Sequence, residues 1–315
     1  MPRGLSFAYQ GRSEGMTTYN ASKKRGGLDR ITARKGWLFI MPAVILIVVM
    51  SFYPMIQAFT LSLQTGTGSN LKFGGLANYQ RLPKDNTYIT ALGNTFFYLI
   101  IQVPIMLILA LILASMLNDK RLMGRGIYRT LIFLPCATSL VSCSMIFLQL
   151  FSNNGLINTL LINWGWLKEP IPFLTNAAYA RWVIIITMLW RWTGYNMVFY
   201  LAGLQNIDTQ VYEAARIDGA SATQQFFKIT LPLLRPIILF TTVLSTNGTL
   251  QLFDEVRIMT AGGPGIGTAS LSFYIYRLTF EQVPRFGYAA SMAFTIFVMV
   301  AALAFLQMKV GEQRK

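Results

Sequence analysis

Histidine is missing from this 315-residue chain, and cysteine occurs only as Cys136 and Cys143. Without imidazole there is no histidine base, proton relay or metal ligand. The two thiols lie seven positions apart in one apolar run, roughly on one helical face. That spacing suits packing and argues against a disulfide. Charge is also scarce: 12% of residues are charged, where a soluble domain carries about 25%. Acids are the scarcer half, with 12 Asp and Glu against 27 Lys and Arg. No G-x-x-x-x-G-K-[ST] loop occurs, which excludes the usual ATP site.

What remains is apolar. Hydrophobic residues make up 54% of the chain and the mean hydropathy is +0.47. Six runs, at about 37–63, 94–117, 127–151, 181–204, 233–253 and 287–308, can each cross roughly 30 Å of hydrocarbon. The expected fold is an all-α membrane protein, a six-span polytopic bundle. The fifth run is interrupted by Ser245, Thr246, Asn247, Thr249 and Gln251. The first is too long for a signal-peptide core and reads as a retained span.

The net charge of +15 does not point to nucleic acid, because the cations cluster before and between the apolar runs. Eighteen Lys and Arg fall on the side holding both termini and eight on the other. The positive-inside bias therefore places both termini in the cytoplasm. The organisation expected is a basic tail over 1–36, a membrane domain over 37–308 with an inner loop at 205–232, and a short tail over 309–315. The basic tail suits anionic lipid. On the outer side, 64–93 is rich in Gly, Thr and Asn. Residues 152–180 hold Trp164 and Trp166, and 254–286 holds the turn Gly262-Gly263-Pro264.

The inner loop carries the punctuation of folded structure. Asp208 reads as an N-cap, with Ile207 and Tyr212 spaced as a hydrophobic staple. A helix over about 209–218 should end at Gly219 in the left-handed conformation. Ser221 and Gln224 form a capping box that starts a second helix. Its Phe226, Phe227 and Ile229 should pack on the bundle, and Pro232 should break or bend the chain. Ala214 and Ala215 would let a partner approach closely, with Glu213 and Arg216 beside them for charged contacts.

The run Glu213, Ala214, Ala215, three residues, Gly219, Ala220, five residues, Phe226, then Ile229, Leu231 and Pro232 resembles the signature of ABC importer membrane subunits. Asn94-Thr95, Tyr128-Arg129, Leu134-Pro135, Phe253-Asp254, Thr260 to Pro264 and Phe286 to Ala290 agree with it. They make the chain similar to the carbohydrate branch, the maltose-type and multiple-sugar-type permeases, over about 35–310. The resemblance implies a type I importer fold in the bacterial or archaeal cytoplasmic membrane. It also implies a coupling helix seated in one of two ATPase subunits, with Glu213 facing a basic residue there. The expected partners are a second homologous permease, those ATPases with their ATP and Mg, and an extracytoplasmic solute-binding protein. This chain is expected to bind no cofactor or metal and to catalyse nothing itself.

A sugar needs hydrogen-bonding groups and aromatic platforms. The fourth run offers Trp190, Thr193, Tyr195 and Asn196 around Gly194, and the fifth offers Ser245, Asn247, Thr249 and Gln251. Matching positions to the maltose-type permeases points to Trp190, Thr193, Gly194, Met197, Ser245, Gly248, Thr249 and Leu252. The same polar groups also suit hydrogen bonds between helices. Arg191 is the one charge well inside a span, either facing the pathway or reaching outward. No Asp or Glu falls within the six runs, which argues against a proton-driven carrier. Sodium coupling through backbone carbonyls stays open. So do a non-sugar cargo for the same machinery and a scaffold that transports nothing.

Overall fold

The computed structural model describes residues 25–119 and 121–312. Expectations for residues 1–24, Lys120 and 313–315 lie outside them. The chain divides into two units, Met1–Ile56 and Gln57–Lys315. In the first, helix α1 (Arg25–Ile47) runs through a π-turn at Val48–Phe52 into α2 (Tyr53–Ser62), whose last residues belong to the second unit.

The second unit opens with an antiparallel hairpin, β1 (Gln64–Thr67) and β2 (Asn70–Phe73), with Gln64 opposite Phe73 and Thr67 opposite Asn70. Gly66 and Gly68 take positive φ there, 137° and 58°, which suits residues without a Cβ. Short α3 (Ala77–Arg81) leads through a 3₁₀ turn to α4 (Asn86–Asn118). There follow α5 (Arg125–Ala137), α6 (Leu140–Leu150), α7 (Leu156–Asn163), α8 (Ala177–Gln205), α9 (Thr209–Ile217) and α10 (Ala222–Gln225). A π-turn at Phe226–Thr230 continues into α11 (Leu231–Leu250). The chain closes with α12 (Asp254–Met259), α13 (Leu271–Tyr276) and α14 (Phe286–Glu312).

Among the described residues, four helical runs are long and apolar enough to cross a membrane: Lys35–Ser62, Asn86–Asn118, Ala222–Met259 and Phe286–Gly311. α5 and α6 form a bent pair, broken by 97°, that makes a fifth if counted as one span. The remaining expected run, the fourth, is α8. It has the length, 29 residues, but falls short in hydropathy because it buries Thr187, Arg191, Thr193 and Asn196 inside the protein. The break also separates the cysteines: Cys136 ends α5 and Cys143 sits in α6, so they do not share one helical face, and both are free.

Two clusters form the core. One gathers Ala110 and Ala114 of α4 with Met197, Tyr200, Leu201 and Leu204 of α8 and Leu234 of α11. The small alanines let α4 and α8 approach closely, the usual means of helix association in lipid. The larger cluster joins Tyr98 and Met188 to Val256, Phe273, Met292 and others toward the hairpin end. Gly194 allows α8 to meet α5 closely, since a Cβ there would overlap the carbonyl oxygen of Ile132.

A carboxylate clasps the hairpin end. Asp85 caps α4 by accepting the N–H of Thr87 at 2.9 Å, and its other oxygen accepts hydroxyls of Tyr274 and Tyr288, each at 2.8 Å. Three elements far apart in sequence thus meet on one side chain. Burial pushes its carboxyl up, but the two tyrosine hydroxyls and two backbone N–H groups outweigh it, leaving Asp85 below its ordinary value. Burial and the same carboxylate push Tyr274 up to about 12, so its hydroxyl stays a donor.

Candidate functional site: a polar cavity and a capped surface helix

Between α4, α8 and α11 lies a cavity of about 330 Å³. Its walls bring together Tyr195, Asn196, Ser245, Gly248, Thr249, Gln251 and Leu252 from the sequence-derived set. A Cβ at Gly248 would meet nothing within 4 Å, so the missing side chain leaves open space there. Trp190, Thr193, Gly194, Met197 and Asn247 lie off this wall. Trp190 packs its ring 5.3 Å from Phe147, and Met197 is fully buried in the α4–α8 core. Asn247 accepts from Gln251 Nε2 at 2.6 Å on a separate surface groove.

A chain of polar contacts ties the three helices together at the cavity. Thr249 Oγ1 donates to Gln102 Oε1 at 2.9 Å, and Gln102 Nε2 donates to Met106 Sδ at 3.1 Å. Asn196 Nδ2 donates to Trp192 O at 3.0 Å, and Ser245 Oγ donates to Asn196 Oδ1 at 3.5 Å. Trp192 and Tyr195 add ring faces at 5.9 Å from each other. Amides, hydroxyls and aromatic faces around a small volume are the donor and acceptor set that a polyol needs.

Gln102, Met106, Met188, Trp192, Asp254 and Glu255 also line the cavity, and the sequence reading did not find them. Gln102 left a signal: it is an isolated amide in an otherwise apolar stretch of the second run. The two acids were missed because the fifth run was ended at residue 253. The chain instead leaves α11 at Leu250 and re-enters helix at Asp254, and this turn brings both carboxylates to the cavity wall.

Arg191 neither lines the cavity nor reaches outward. It is 6% exposed and points at the break between α5 and α6. Its Nη1 donates to Thr138 O at 2.7 Å and Pro135 O at 3.4 Å, and its Nη2 to Cys136 O at 3.5 Å. These carbonyls lie where α5 ends and lack the i+4 partners of a continuing helix; Pro135 O also accepts from Thr138. A guanidinium is suited by charge and by its fork of donors to hold them.

The segment after α8 folds as a capped pair. Asp208 accepts Gln210 N–H at 3.0 Å at the start of α9. Gly219 takes φ 77°, and Ser221 with Gln224 makes a reciprocal capping box. Tyr212 and Thr230 share a hydroxyl hydrogen bond of 2.9 Å that ties α9 to the start of α11. Glu213, Ala214 and Arg216 are exposed, Ala215 and Ala220 half-buried. Ile217 is 87% exposed, an apolar side chain left without cover. Phe226 and Ile229 pack inward in part, whereas Phe227 stays 60% exposed. Pro232 does not break the chain. It falls in the first turn of α11, where its missing N–H is tolerated after the widened π-turn.

Residues 86–312 match the family of binding-protein-dependent transport system inner membrane components, and the chain belongs to that family. It is 50% identical over 297 residues to the lactose transport system permease protein LacF of Rhizobium radiobacter, covering 94% of this chain and 100% of that one. It is 34% identical to the arabinooligosaccharides transport system permease protein AraP of Halalkalibacterium halodurans, covering 86% of each. A bacterial alginate ABC transporter, solved with its alginate-loaded periplasmic protein, contains a chain of the same fold. That chain superposes with a TM-score of 0.80 at 23% identity, over 91% of this chain and 96% of that one.

Proposed function

We propose that this chain is the transmembrane permease subunit of an ATP-driven, solute-binding-protein-dependent importer that passes a sugar or oligosaccharide into the cytoplasm by alternating access. The polar cavity between α4, α8 and α11 carries this reading. It supplies amide and hydroxyl partners with aromatic faces in the middle of an apolar bundle, and relatives of the same length are named for lactose and arabinooligosaccharide transport. The α8 residues of the cavity share a helix that leads through a short turn at 206–208 into α9. A shift of α9 is therefore transmitted over roughly 20 Å at 1.5 Å per residue.

In this reading α9 is the coupling helix. Val211 and Ile217 offer exposed apolar contact, Glu213 and Arg216 offer charge, and Ala214 and Ala215 let an ATPase surface come close. ATP and Mg are used on two such ATPase subunits, and this chain binds no cofactor. A second homologous permease completes the pathway, a solute-binding protein docks at the hairpin end, and both termini face the cytoplasm. The test is uptake of radiolabelled lactose by vesicles holding the assembled importer. Uptake that needs ATP and the solute-binding protein supports the reading. Uptake by the purified chain alone, driven by an ion gradient, makes it a secondary carrier. Stimulation only by amino acids or other non-sugars changes the cargo, and no stimulation by any solute leaves a scaffold.

A further inference from the structure

We propose that Glu255, with Asp254 beside it, sets the charge class this cavity accepts: uncharged, hydroxyl-rich saccharides pass and sugars bearing a carboxylate are refused. The inference rests on the cavity being the sugar's passage. Glu255 is 5% exposed and borders the cavity, as does Asp254. No Lys or Arg is among the lining residues. Neither acid takes part in an ion pair among the described residues; the bridges there join Glu281 to Arg257 and Arg277. The nearest guanidinium on the neighbouring helix, Arg191, has its Nη donors turned to the carbonyls of Pro135, Cys136 and Thr138. Arg191 keeps its positive charge and acts on Glu255 through space, but the lining itself holds two carboxylates and no cation, so the balance of charge at the wall is negative.

The chemistry follows from that field. An ionised carboxylate only accepts hydrogen bonds, and its two oxygens suit a pair of vicinal hydroxyls. A sugar hydroxyl satisfies it, whereas a sugar carboxylate brings a second anion into a site of low dielectric. The fold itself does not decide this, since the alginate transporter of the same fold imports an acidic polysaccharide. The choice belongs to side chains on the wall.

The test reads the field directly and needs no solute-binding protein. In the assembled importer, with Cys136→Ser and Cys143→Ser as background, Gly248→Cys places a thiol in the open space of the cavity. Its reaction rates with a cationic and an anionic methanethiosulfonate are compared with those of a free thiol. The cationic reagent is expected to be favoured by about tenfold, as for a unit charge at close range, and Glu255→Gln should remove most of that preference. In the same material, millimolar lactose should slow labelling while lactobionate, its acidic counterpart, should not. Glu255→Gln should narrow that difference. A rate ratio unchanged by Glu255→Gln, a thiol that reacts with neither reagent, or equal protection by both sugars would overturn the proposal. If lactose uptake in vesicles also fails, the sugar reading itself falls. If uptake holds and only the ratio is flat, the charge filter alone is lost.

Discussion

Asp85 shows how much one side chain can hold. It caps α4 and receives hydroxyls from α13 and α14, so it joins segments about two hundred residues apart in sequence. Its folded-state pKa is depressed. The stabilisation is therefore present above the unfolded value of about 3.9 and is lost as pH falls through the folded value. Asp85→Asn should lower the thermal unfolding midpoint of the detergent-solubilised protein at pH 7, and the gap to the parent should close below about pH 4. A gap independent of pH would contradict the linkage. Gly194 makes the opposite kind of point, because what matters is an absence. Gly194→Ala forces a methyl against the Ile132 carbonyl and should cost about 1–3 kcal/mol as overpacking. Gly248→Ala, facing open space, should leave the unfolding midpoint close to the parent's.

At the scale of elements, the broken third span depends on a cation from a different helix. α5 ends at the break, where Thr138 covers only the Pro135 carbonyl, and Arg191 of α8 reaches Pro135, Cys136 and Thr138 together. Arg191→Leu should destabilise the protein by about 1.5–3 kcal/mol, the scale of a hydrogen bond to a charged group. Arg191→Lys should recover only part of this, because an ammonium lacks the planar fork. Thermal unfolding of the three proteins side by side would show the order. Apolar length identified α4 and α14 from sequence, and capping chemistry identified α9 and α10. The 97° break had no local signal strong enough, because Pro135, Thr138 and Ser139 also fit a continuous run.

On the scale of the whole molecule, the proposed importer requires the cavity and α9 to act together. Glu213→Ala should reduce sugar-stimulated ATP hydrolysis in the assembled importer several-fold while sparing insertion of the spans. Gly219→Asp should uncouple or release the ATPase, since the left-handed turn at φ 77° strains any side chain. Hydrolysis assays and co-purification of the ATPase after each substitution separate these outcomes, and unchanged stimulation with Glu213→Ala would contradict its role in coupling.

Composition, apolar length and capping residues alone set the membrane setting, the predominantly helical class and the α9–α10 pair, because each is a local property written over a few turns of chain, whereas the β1–β2 hairpin departs from the all-α expectation. The particular cavity wall was not legible in that way. Gln102, Met106, Asn196, Ser245, Thr249 and Glu255 are spread over four helices, and only the packing of those helices makes them neighbours. The same is true of Arg191: its sequence position marks a costly buried charge, but the carbonyls that repay it are supplied by a helix end fifty residues earlier.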